Sequence, residues 1–339
     1  MSKQIPLPQP LFPDRPTLRP TKRTWLKHSL LLLITFFTAT LAGAIFPFGR
    51  LDIFPELLAA DAPDSWAVLL NLPQYYLNLV VRALTSPAEL FRALSFSVPL
   101  MIILTAHEAG HYVACRIYRV HSTLPYFIPT PPLIGPAGTF GAFIKILAPM
   151  PSRKAVFDIG VAGPIAGFVA LIPVAVIAFL TMDQVSPEFA AAYRGEIYFA
   201  DPLFMQAMAA LFSMDLGLTI PNGFYFATWM GLLVTALNLI PSGQLDGGHA
   251  NFAVFGPRVH RWTGIVAFAV MALLAFGGYW LYGSPSGFLI AVLLGVMLRV
   301  GHPSPLDSSP LDAKRKAVAL LTLIIFVICF VPFPIRLVE

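Results

Sequence analysis

Three observations predict an all-α polytopic membrane protein. Hydrophobic residues make up 57% of the 339-residue chain and charged residues 12%, about half the ~25% charge of an ordinary soluble domain. Mean hydropathy is +0.75. The apolar residues also gather into runs of roughly 20, the length at which a helix crosses a bilayer.

Charge and cysteine content narrow the class further. The net charge of +5 is spread between apolar runs, with no dense basic block carrying interleaved aromatics, so nucleic acid is not an expected partner. Cys115 and Cys329 are the two cysteines, far apart and beside apolar runs, which argues against a disulfide framework. The lipid bilayer is the expected surrounding.

The elements follow in chain order. Residues 1–27 carry six basic residues and six prolines between Lys3 and Lys27, and read as a disordered basic tail. The rest, 28–336, reads as one membrane domain. Its first run, Leu26 to Phe46, is too long for a signal h-region and has no clean small-residue cleavage site, so it reads as a retained helix, with a signal-anchor role as the alternative. Six more spans are expected near Phe96–Ile117, Ala155–Thr181, Phe224–Ile240, Trp262–Tyr282, Gly287–Val300 and Ala317–Val331, about seven in all. Trp66–Leu84 is apolar but contains Pro73 and several polar residues, which suits an interfacial or re-entrant segment better than a full span. The insert from Met182 to Asn222 is too short for a typical extra folded domain.

On this seven-span layout 17 of the 22 Lys and Arg fall on one side and five on the other. Such a bias marks the cytoplasmic face. The amino terminus is then expected to be cytoplasmic, in a bacterial inner membrane in preference to a chloroplast one.

The most informative motif is His107-Glu108-Ala109-Gly110-His111, inside an expected span. Ionisable groups at membrane depth cost several kcal/mol unless paired or bound to metal. Four residues apart on a helix, His107 and His111 share one face and can grip one Zn²⁺, while Glu108 can reach a water on the metal as general base. No acid follows His111 before Asp158, so a third ligand must come from another span. Asp246 is the candidate: it closes an apolar run in Asn238-Leu239-Ile240-Pro241-Ser242-Gly243-Gln244-Leu245-Asp246-Gly247-Gly248, at the same expected depth.

His-Glu-x-x-His with Asn-x-x-Pro-x-x-x-x-Asp-Gly resembles the site-2 protease family of intramembrane zinc proteases. The resemblance extends to Gly163-Pro164-Ile165-Ala166-Gly167 and to the glycine-rich stretch Gly135–Phe143, covering about residues 96–251. It implies a three-helix catalytic core over that range, with zinc on His107, His111 and Asp246 and Glu108 as catalytic base. It also implies cleavage within or next to transmembrane segments of membrane protein substrates. The layout is most similar to the compact branch without a PDZ domain. Asn238 is a candidate for the oxyanion or the substrate backbone, or else a helix-bridging amide. The alternative reading of the Gly163–Gly167 motif is close helix packing alone.

A substrate helix must be opened before its carbonyls can be attacked. Thr139–Ile146 alternates small and bulky residues, including Gly141 and Phe143, so it is a candidate strand edge that could pair with the opened substrate. The alternative is a plain membrane-dipping loop, so the fold is expected to include a membrane-associated loop or hairpin. Two other readings of the whole chain are an ion- or proton-coupled transporter built on the same buried ionisable residues and a non-catalytic membrane scaffold.

Overall fold

The computed structural model describes residues 20–45, 65–132, 137–193, 197–300 and 302–337, together with Gly135 and Gly195. Helix α1 (Lys22–Ile45) begins inside the expected tail, because Thr21 caps it: the Thr24 N–H donates to Thr21 Oγ1 at 3.2 Å. Lys22–Lys27 therefore belong to a helix and correct the expected tail boundary at residue 27, while residues 1–19 lie outside the described part. Helix α2 (Ser65–Thr85) is continuous through Pro73 and packs on α1 and on α3 (Pro87–Ile117). Ser86 caps α3, accepting from the Glu89 N–H, with Pro87 in the first turn, where its missing N–H costs nothing.

Two strands follow, β1 (Tyr126–Pro129) and β2 (Thr139–Phe143), paired antiparallel with Tyr126 opposite Phe143 and Phe127 opposite Ala142. The strand expected over Thr139–Ile146 thus ends at Phe143, and with β1 as its partner it forms a hairpin. The hairpin is docked on α1 by Thr38 Oγ1, which donates to Gly138 O at 2.6 Å, and by His28 Nδ1, 2.8 Å from Pro125 O. In the two-stranded sheet the outer edge of β2 has no strand beside it among the described residues.

Helix α4 (Arg153–Thr181) is capped by Ser152 and carries Pro164 and Pro173. The insert after it holds α5 (Pro187–Tyr193), β3 (Ile197–Phe199) and α6 (Leu203–Leu211), then a 3₁₀ turn at Leu216–Leu218. Asn222 caps α7 (Gly223–Asn238), whose Trp229 is buried and donates from Nε1 to Ala200 O at 2.9 Å. The chain continues through α8 (Asp246–Phe255), α9 (Pro257–Tyr282), α10 (Ser286–Met297) and α11 (Ala313–Cys329) to β4 (Ile335–Leu337), which pairs antiparallel with β3.

Each of the seven expected spans is a helix. Among the described residues α1, α3, α4 and α9 are long and apolar enough to cross a membrane. Helices α7, α10 and α11 have 16, 12 and 17 residues, shorter than the ~20 typical of a span. At the centre α3, α4 and α7 pack on one another, burying Phe96, Leu100, Ile103, Leu171 and Leu232. Helix α11 is pinned to α4 by Arg315, which donates from Nε and Nη2 to the two Asp158 oxygens at 2.9 and 2.6 Å, and from Nη2 to the Tyr118 hydroxyl at 3.0 Å.

Candidate metal centre and active site

His107 and His111 lie one turn apart on α3 and are both buried, as is Glu108. Asp246 arrives from the first turn of α8. Between α7 and α8 the chain reverses through Leu239–Leu245. Gly247 lies against this turn so closely that a Cβ there would sit 2.0 Å from Leu239 O. Only glycine fits, and the tight reversal turns Asp246 back towards α3.

The three donors form a small triangle. His107 Nε2 and His111 Nε2 are 3.1 Å apart, and Asp246 Oδ2 is 3.2 Å from the first and 3.3 Å from the second. Donors about 2.0–2.1 Å from a tetrahedral zinc stand roughly 3.3–3.4 Å from one another, so the triangle has the size that zinc requires. His111 Nδ1 is 2.7 Å from Ile159 O, which fixes its proton there and leaves Nε2 with a free lone pair. His107, His111 and Asp246 form a group able to hold a metal ion.

Glu108 completes the fit. Its carboxylate accepts from the Ile144 backbone N–H, while Oε2 is buried with no hydrogen-bond partner. A buried carboxylate oxygen without a partner costs free energy unless something arrives to donate to it. A water beside the metal position is such a donor.

The remaining expected residues fall around this centre. Asn238 ends α7 with Nδ2 3.5 Å from His107 Nε2, and lines a cavity of about 220 Å³ with the three donors, Glu108 and Phe143. Gly141 lines an adjoining cavity beside Glu108. It has φ of +92°, and a Cβ there would meet nothing within 4 Å. Phe143 stacks on Tyr126 with ring centroids 5.4 Å apart. Cys115 is fully buried among Ala114, Val156 and their neighbours and takes no part.

Two further histidines adjoin the site. His249 lines the metal cavity, and its Nδ1 is 2.7 Å from His302 Nε2; His302 Nδ1 is in turn 2.9 Å from Pro303 O. Burial, the largest cause, lowers both imidazoles to about 4, so both are neutral at physiological pH. His249 follows Asp246 by three residues on one helix face, a spacing that could have placed it at the site. The 53-residue link to His302 leaves no such trace.

The chain aligns with probable zinc metalloproteases described as chloroplastic: EGY1 of Oryza sativa subsp. japonica, 26% identical over 73% of this chain and 42% of that protein, and EGY1 of Arabidopsis thaliana, 28% identical over 73% and 44%. EGY3 of Oryza sativa subsp. indica is 28% identical over 68% of this chain and 40% of its own length. The chain thus spans less than half the length of these curated relatives, and their chloroplastic description gives no support to a bacterial inner membrane. The model of peptidase family M50 matches residues 95–277, which take in both halves of the metal centre. With more than half of its length matched and the three donors assembled, the chain belongs to peptidase family M50, the site-2 protease family.

Proposed function

We propose that the protein is an intramembrane zinc endopeptidase that hydrolyses peptide bonds within or next to transmembrane segments of membrane proteins. The observation that carries this reading is the donor triangle, with the unpartnered Glu108 oxygen beside it and the unpaired edge of β2 along the same cavities. When bound, zinc acidifies a coordinated water and polarises the scissile carbonyl. His107, His111 and Asp246 hold it, and His111 keeps its orientation through Ile159. Glu108 takes a proton from the attacking water at Oε2 and returns it to the leaving amine. Asn238, which lines the same cavity, donates from its amide to the carbonyl oxygen under attack.

The strand edge has a defined part in this scheme. Since the Ile144 N–H turns towards Glu108 and the Thr123 N–H pairs with Lys145 O at 2.9 Å, successive residues alternate between the site and the hairpin partner. Ala142 therefore faces the site, and its amide is available to a substrate strand. In this reading the amino terminus and the metal centre face the cytoplasm, an orientation supported by the basic bias of the sequence.

The test is cleavage of a defined single-span substrate in proteoliposomes by wild type and Glu108→Gln. Wild type cuts near the membrane, while Glu108→Gln retains zinc and does not cut, because the amide cannot accept the water's proton. Equal cleavage by both removes Glu108 from its role, and no cleavage by zinc-loaded wild type contradicts the proposal.

A further inference from the structure

Beside the metal cavity lies a second one of about 190 Å³. The two share His107, Glu108, Ala142, Asn238 and Leu245, so the second opens onto the reacting centre. Its walls differ from those of the first: they are set by Leu104 of α3, Val234 and Leu237 of α7, and Ile290, Leu293 and Leu294 of α10. No cation lines it, and Glu108 is its one carboxylate.

We infer that this cavity is the specificity pocket for one large apolar side chain next to the scissile bond. The inference rests on the proteolytic reading above. A substrate strand paired at Ala142 projects alternate side chains to opposite sides. The cavity lies beside Phe140–Ala142, within reach of the first of these, and the edge then runs past Glu108 to Phe143 and Ile144 in the metal cavity. Size selects the class: a dry apolar cavity of roughly 150 Å³ accepts a benzene ring, so 190 Å³ takes a leucine or phenylalanine side chain. Charged residues are excluded, because the walls give an acid no counter-charge and a base would engage Glu108 itself. The α10 wall lies beyond residues 95–277, so part of the selectivity belongs to this chain outside the family match.

The test uses full-length protein in proteoliposomes and one transmembrane substrate whose cleavage site is mapped by mass spectrometry. The residues flanking the cut are varied in turn among Leu, Phe, Ala and Asp, and zinc content reports the integrity of each variant. Wild type is expected to favour Leu or Phe over Ala at one flanking position by at least tenfold in kcat/KM, since a few methylenes in an apolar pocket are worth that much, and to reject Asp. Val234→Phe fills the pocket and should lower the Leu-to-Ala ratio by tenfold or more. Leu293→Ala, at a half-exposed position outside the core, enlarges it and should raise Phe relative to Leu. Cleavage without preference at either flanking position, or ratios unchanged in both zinc-loaded variants, overturns the pocket assignment while leaving the protease reading intact. Failure of zinc-loaded wild type to cut any member overturns that reading and the pocket with it.

Discussion

Replacing Gly163 by alanine should expel His111 from the metal centre without touching a ligand. A Cβ on Gly163 would lie 2.0 Å from His111 Nε2, 2.4 Å from Cδ2 and 2.5 Å from Cε1. Ordinary contact begins at 3.4 Å, so ring or helix must yield by about 1.4 Å, several times the ±0.2 Å tolerance of a zinc–ligand distance. The α4 backbone has little room to yield, because Ile159, Gly160 and Val161 beside it are buried. Disturbing outer-shell partners alone weakens metal affinity by 10–100-fold, and displacing one of three direct ligands should reach the upper end, about 100-fold or ~2.8 kcal/mol. Gly167→Ala is the control. Its Cβ would meet His107 Cβ at 3.2 Å, needing only about 0.2 Å of adjustment, and a loss under tenfold is expected. Competition with a chromogenic chelator on the detergent-purified protein reads both affinities, with circular dichroism as the fold control. A folded Gly163→Ala protein that binds zinc as tightly as Gly167→Ala would refute the reasoning.

Three further outcomes are expected. Ala142→Pro should cut proteolysis sharply with zinc content unchanged, because it removes an amide facing the site, and Phe143→Ala should be milder because it keeps the backbone donor; wild-type rates in Ala142→Pro would dismiss the strand edge. For His249 and His302 the folded pKa of about 4 lies below the usual ~6.5, so the unfolded chain binds more protons between these values and stability falls as pH drops from 6.5 to 4. His302→Gln should flatten that dependence in thermal unfolding scans, and an unchanged slope would assign the acid lability to other groups. Arg315→Met leaves the Asp158 carboxylate without its cation, still accepting from the Tyr118 hydroxyl, at a partly exposed site where a loss of roughly 1–2 kcal/mol is expected after allowance for solvent screening; an unaltered unfolding temperature would show that α11 is held by packing alone.

Local patterns made the spans and the metal motif legible in the sequence. Apolar length marks a helix wherever it sits, and His107 and His111 lie one turn apart on a single helix. Contacts between distant segments had no such signature. Strand β1 is four residues of mixed character, recognisable only through its pairing with β2, and β3 meets β4 across more than 130 residues. The Arg315–Asp158 pair joins positions 157 apart. Gly163 carried an ambiguous signal, since a glycine that admits a neighbouring helix looks the same as one that admits a ligand ring. The α10 wall beside Glu108 was similarly hidden, because a short apolar helix in a membrane chain gives no hint of which face meets a cavity.

The most direct measurement of the central claim is zinc content and zinc K-edge absorption on the purified chain and its Glu108→Gln and His107→Ala/His111→Ala variants. The account predicts one zinc per chain in wild type and Glu108→Gln, bound by nitrogen and oxygen donors with two imidazoles and no sulfur, and its loss from the double histidine variant. Zinc retained in the double variant, or a sulfur ligand in wild type, would contradict it.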